Sequence, residues 1–135
     1  MINKGLDMKL KTSIAILLSV VSFMANAISY DSLDSKVKNK QKALTEVQFD
    51  EYLLTLKGIG VNWRGKVLDV EKSWFDDSYT INIDMDGNGI PDTKFKGLQK
   101  KHALTLNKNQ EYNFSGEIKS IDTMFGFVYY RIGSK

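Results

Sequence analysis

The chain has 135 residues, 42% hydrophobic and 26% charged, with one histidine, one proline and no cysteine. That length suits one modest domain rather than a large multidomain enzyme, and a chain without cysteine forms no disulfide, thiolate metal site, cysteine nucleophile or lipid-bearing N-terminal cysteine. Residues 1–27 hold three lysines and one aspartate, which leaves 16 basic against 15 acidic groups of the formal +3, a balance that predicts no bulk field to gather nucleic acid or acidic lipid.

Lys4, Lys9 and Lys11 precede an apolar stretch from Ile14 to Met24, and Ala25-Asn26-Ala27 follows. A positive start, a short apolar middle and a small-x-small end are the parts of a secretory signal peptide over residues 1–27. The apolar stretch is short of the roughly 20 residues a bilayer span needs. Met8 offers an alternative start. Cleavage after Ala27 would release a bacterial protein, soluble in the periplasm or secreted, with no membrane span in its mature chain.

Residues 28–43 are polar, with Lys36, Lys38, Lys40 and Lys42 alternating with neutral residues. The segment reads as a tether with too few apolar groups to offset its ordering entropy, and its lysines as a solvated linker or an electrostatic docking strip. The domain proper is expected over residues 44–133. Thr45-Glu46-Val47-Gln48 matches a capping box, and Phe49, Tyr52, Leu53 and Leu56 follow at helical spacing until Gly58 and Gly60.

Beyond Gly60 the period becomes two. Val61, Trp63, Gly65 and Val67 alternate with polar residues, and a phase slip to Leu68 and Val70 predicts a bulge at Val67-Leu68. Tyr79 to Met85 forms a second strand and Thr93 to Lys96 a short third. Leu98 to Leu106 suits a short helix. Tyr112 to Ile118 marks a fourth strand and Phe127 to Ile132 a fifth. Strands one and four share one pattern, Val61-x-Trp63-x-Gly65-x-Val67 and Tyr112-x-Phe114-x-Gly116-x-Ile118. Glycines at matching strand positions predict tight bends where a sheet coils into a barrel. The expected fold is all-β with short helices: a five-stranded, OB-fold-like Greek-key barrel preceded by an amphipathic helix.

The stretch from Ala43 to Ile132 resembles the small exported bacterial OB-fold proteins grouped as tRNA-anticodon-binding-like. The likeness lies in Leu44-Thr45, Leu56-Lys57-Gly58, Val61-Asn62-Trp63-Arg64-Gly65-Lys66-Val67 and Phe114-Ser115-Gly116-Glu117-Ile118. These are fold-making positions, so the resemblance implies a barrel and carries over no catalytic residue.

Asp84-Met85-Asp86-Gly87-Asn88-Gly89-Ile90-Pro91-Asp92 is the sharpest motif. Asp84, Asp86, Asn88, Asp92 and the Ile90 carbonyl could wrap a hard cation such as Ca²⁺, as in EF-hands and thrombospondin-type repeats, which the segment resembles. Position twelve is Phe95, where an EF-hand has glutamate, so the site would be weak and structural. A glycine-rich hairpin turn accounts for the same residues.

His102 lies among Lys100, Lys101 and Ala103 and reads as surface-exposed. Asp76-Asp77 reads as solvated charge, and Arg64 and Arg131 are too few to hold a phosphate for hydrolysis. Enzyme activity is not expected. OB-folds bind through the strand 2–3 face, with loops after strands one and four as clamps. Here those loops are Lys72 to Ser78 and Asp122 to Gly126, each combining aromatics with acid. Their aromatics either plug the barrel or bind a partner. The leading expectation is a non-enzymatic envelope binding module that contacts a protein or glycan through Trp74, Phe75, Phe125 and Tyr129, an inhibitor or immunity-like role being one version. A single-stranded nucleic-acid-binding domain is the second reading, disfavoured by charge balance and loop acids. A calcium-stabilised structural protein is the third.

Overall fold

Two long strands, each with a glycine and a bulge, turn this sequence into a closed barrel. The computed structural model describes residues 28–134, and the predicted signal peptide lies outside them. In chain order the elements are α1 (Tyr30–Ala43), α2 (Glu46–Thr55), β1 (Gly60–Lys72), β2 (Tyr79–Asp84), β3 (Thr93–Leu98), α3 (Lys100–Ala103), β4 (Glu111–Met124) and β5 (Phe127–Gly133). The strands close in the order β1-β2-β3-β5-β4. All neighbours are antiparallel except β3 and β5, which run parallel. This is the OB-fold-like barrel expected from the strand pattern.

β1 pairs with β4 along its first half and with β2 along its second, and the register shifts between Val67 and Asp69. β4 shifts between Ile118 and Ser120 where it pairs with β5. The bulge expected at Val67-Leu68 is therefore one of three register shifts, the third lying between Tyr79 and Thr80 where β2 pairs with β3. The paired glycines sit where neighbours press closest. A Cβ on Gly65 would lie 2.5 Å from Ile83 Cγ2, and one on Gly116 would lie 2.2 Å from the Gly133 carbonyl oxygen. The interior holds Val61, Trp63, Val67, Ile81, Ile83, Phe95, Phe114, Ile118, Tyr130 and Ile132. Trp63 meets Tyr130 and Phe114 edge-on, with centroids 5.7 and 6.2 Å apart.

α2 starts at the expected capping box: the Gln48 amide donates to Thr45 Oγ1 at 3.3 Å and the Thr45 amide to Gln48 Oε1 at 3.1 Å. α3 is a single turn, shorter than the predicted Leu98–Leu106 helix, because Leu98 completes β3 and only Ala103 of the turn is buried.

Residues 28–43 form no tether. Ser29 caps a 14-residue helix whose Tyr30, Leu33, Asp34 and Val37 are buried. These four positions make one face, while the lysines that masked them point outward and Lys40 and Lys42 complement the C-terminal dipole. The Trp63 indole donates to the Ile28 carbonyl at 2.9 Å, and the Tyr130 hydroxyl donates to Asp34 Oδ1 at 2.9 Å. Tyr30 packs edge-on against both Trp63 and Tyr130. Burial pushes the Tyr130 hydroxyl far above its ordinary range, with Asp34 adding to the effect, so it stays a donor. Each fully buried apolar side chain contributes about 1.5–3 kcal/mol, which offsets the ordering entropy that composition alone could not.

Candidate functional site

The loop between β1 and β2, residues 73–78, is closed by its own hydrogen bonds. The Ser73 amide donates to the Ser78 carbonyl at 2.9 Å, the Phe75 amide to Ser73 Oγ at 3.3 Å, and the Ser78 amide and hydroxyl to Asp76 Oδ1. Those Ser78 bonds hold the Asp76 carboxyl below its usual range. The closed loop directs Trp74 and Phe75 outward, where they are 97% and 99% exposed. They do not plug the barrel.

Below this loop the end of β1, the outer faces of β2, β3 and β5 and Lys119 of β4 form a cleft of about 680 Å³. Trp74 and Phe75 stand on its rim, Thr80 and Glu71 line one side, and Lys72, Lys94, Lys96, Lys119 and Arg131 supply five cations. The alternation of β3 produces this: buried Phe95 separates Lys94 from exposed Lys96. Lys94 and Arg131 are register partners on parallel strands, and like charges so placed destabilise a sheet. Asp122 relieves Arg131 and Glu117 relieves Lys119. Among the described residues Lys72, Lys94 and Lys96 have no ion-pair partner. Asn82 lies on β2 beside Lys94. Its side-chain nitrogen donates to Glu71 Oε1 at 3.0 Å, while its buried oxygen has no partner.

The four predicted contact residues separate. Trp74 and Phe75 border the cleft. Tyr129 is half-buried on the outer face of β5, with Lys94 Nζ 5.8 Å from its ring centre. Burial pushes its hydroxyl up to about 12, against a smaller opposing effect of Arg131. Phe125 stands at the β4–β5 turn, 93% exposed and outside the cleft lining. Its φ of 52° is left-handed, a conformation that costs a residue with a Cβ about 1–2 kcal/mol. The basic floor was missed by the sequence analysis, although Lys94-Phe95-Lys96 carried its signal. His102 is exposed, as expected from its neighbours.

The acidic loop brings carboxylate oxygens of Asp84, Asp86 and Asp92 within 4.8 Å of one another, a set that could hold a divalent cation. Asp84 accepts the Gly87 and Gly89 amides, both at 2.8 Å. Burial raises the Asp84 carboxyl, yet these amides overcome it and leave the group below its usual range. Asp92 accepts the Met85 amide at 3.1 Å and the Thr93 hydroxyl at 3.0 Å. Its burial dominates and pushes it up to about 6. Asn88 Oδ1 accepts the Ile90 amide at 2.9 Å. The loop is thus organised by its own amides, the geometry of a polar turn.

No family model and no curated protein sequence matches the chain. Among solved structures it is similar to a candidate nucleic acid-binding lipoprotein from Klebsiella pneumoniae subsp. pneumoniae. The TM-score is 0.51 and the identity 13%, covering 82% of this chain and 92% of that chain. At such identity the likeness carries the barrel fold alone, and the resemblance to anticodon-binding-like proteins stands at that same level.

Proposed function

We propose that this domain binds single-stranded nucleic acid on the outer face of β2, β3 and β5. One observation carries the reading: five cations and two fully exposed aromatics surround a single cleft. Lysine and arginine neutralise phosphates and release their counterions. Trp74 and Phe75 offer stacking platforms, worth about 1–3 kcal/mol per base, and only unpaired bases present their faces. The Klebsiella protein's description as nucleic acid-binding agrees with this reading. Two of the three loop acids that disfavoured it are engaged, Asp76 with Ser78 and Asp122 with Arg131.

We propose a binder rather than an enzyme: the carboxylate lining the cleft, Glu71, is engaged by the Asn82 side-chain amide. The leader-like residues 1–27 and the lipoprotein character of the Klebsiella neighbour support a bacterial envelope setting. Among the described residues no helix is long and apolar enough to cross a membrane. The carboxylates of Asp84, Asp86 and Asp92 are proposed as a weak structural Ca²⁺ site, completed by Asn88 and the Ile90 carbonyl.

Fluorescence polarisation with labelled oligothymidylate tests the main reading. Binding should weaken linearly in log–log plots against salt, each phosphate contact contributing a slope of about 0.7. Absence of binding at low salt defeats it and returns the aromatics to the protein or glycan reading. That reading is tested by loss of an envelope partner from the correctly folded Trp74→Ala variant.

A further inference from the structure

The hairpin joining β4 to β5 ends in three apolar side chains that stand clear of the other described residues. Met124 and Phe127 are each 66% exposed and Phe125 is 93% exposed. They cluster, because Met124 pairs with Phe127 across the turn. Phe125 and Gly126 both have positive φ, 52° and 82°, as in the two-residue turns that Asn-Gly or Asp-Gly ordinarily fills. Phenylalanine at the first of these positions carries backbone strain and recovers little by packing within the chain. An apolar cluster kept at a cost to its own turn marks contact with something outside the barrel.

The residues behind the tip indicate what that is. Phe127, Tyr129 and Arg131 succeed one another at alternate positions on the outer face of β5, while Val128, Tyr130 and Ile132 between them are buried. At about 3.3 Å per residue, Tyr129 stands about 7 Å and Arg131 about 13 Å behind Phe127. Lys94 of β3 lies beside Arg131, its ammonium 5.8 Å from the Tyr129 ring centre. Asp122, the register partner of Tyr129, is tied to Arg131. The order along the row is apolar apex, amphipathic tyrosine, then cations. A phospholipid surface has the same order in depth: acyl chains, the interfacial level where tyrosines settle, then phosphates. A protein pocket imposes no such sequence of depths.

The β2–β3 loop reaches this end of the barrel too, because β3 begins at Thr93 beside Tyr130. It brings exposed Ile90 and exposed Asp86. Asp86 opposes anionic headgroups, so side-chain insertion rather than bulk charge has to supply the attachment.

We infer that the β4–β5 hairpin is a membrane-docking tip: Met124, Phe125 and Phe127 enter the headgroup–acyl boundary of a phospholipid bilayer, Tyr129 lies at the headgroup level and Lys94 meets the phosphates. The attachment is peripheral and reversible, since three side chains bury far less than a spanning helix. The β1–β2 loop stands at the opposite end of the face, because β2 begins at Tyr79 opposite Leu98, the last residue of β3. Trp74 and Phe75 therefore stay in water while the hairpin is docked. This inference does not depend on the single-strand reading of the cleft.

Co-sedimentation with vesicles of phosphatidylethanolamine and phosphatidylglycerol, in the absence of nucleic acid, tests it. The protein used is the chain from Ile28 onward, which carries every helix and strand described above. Wild type should pellet with the vesicles. Phe125→Asn supplies the residue the turn favours, so it should melt at least as high as wild type yet partition about 10-fold more weakly. Phe127→Ser should lose a similar factor, and Trp74→Ala should stay within about twofold of wild type. Vesicles that leave the wild type in solution, hairpin variants that pellet as well as wild type, or a Trp74→Ala loss equal to theirs overturn the inference. Each of those results leaves oligothymidylate binding by the cleft standing, and a failure of oligothymidylate binding leaves the vesicle result standing.

Discussion

Among the described carboxylates, Asp92 is the one whose chemistry departs furthest from its exposed relatives. Burial pushes it up to about 6 from an ordinary 3.8, so the folded protein holds its proton more firmly than the unfolded chain. Its contribution to stability is full below about pH 4 and is lost as pH rises through about 6. In ion-free buffer, urea melts from pH 4 to pH 7 should lose about 2–3 kcal/mol through this group. Asp92→Asn should flatten that slope; an unchanged slope assigns the titration elsewhere. Ca²⁺ at neutral pH should raise the melting midpoint by mass action, and Asp86→Ala should remove the rise. Equal midpoints with calcium and with chelator leave the loop a turn. The two strand glycines are distinguishable in the same way. At Gly116 the obstacle is backbone, at Gly65 it is the ends of the Ile83 and Met85 side chains. Both alanine variants should be destabilised by overpacking, on the order of 1–3 kcal/mol, with Gly116→Ala the more severe in denaturant titration.

Among the elements, α1 and the β1–β2 loop invert what composition implied. α1 reads as polar, yet Leu33 and Val37 are 1% and 0% exposed and its Asp34 receives the Tyr130 hydroxyl. Leu33→Ala should therefore cost about 2–5 kcal/mol by equilibrium unfolding, where a tether would tolerate the change. The loop reads as aromatic and could have been core, yet Trp74 and Phe75 are almost wholly exposed. Trp74→Ala should leave the melting midpoint within about 3 °C, since surface changes stay within about 0.5 kcal/mol, while lowering oligonucleotide affinity at every length. The bulge at Val67, the capping box at Thr45 and the matched glycines were all legible, because each is a local pattern of a few neighbouring residues. The helix in residues 30–43 was not. Its apolar stripe is thin, and it gains stability only against Trp63 and Tyr130, which lie 33 or more residues along the chain from Tyr30.

For the whole molecule, the charge ledger and the charge map differ. Residues 28–135 are almost neutral in sum, but folding gathers five cations around one cleft. Lys94→Ala and Lys96→Ala should each lower affinity about uniformly over oligonucleotide sequences and reduce the salt slope by about 0.7. Retention of the full slope in the double variant would show that the phosphates pass elsewhere. The sequence by itself determined the succession of strands along the chain, the corner at Val67 and the barrel, because alternation, capping and close-approach glycines act between near neighbours. Only the tertiary structure decided which lysines share a face, which aromatics meet solvent and that the first helix belongs to the core. Those outcomes depend on the pairing register of strands far apart in the chain, and on burial that no single segment possesses before the others fold around it.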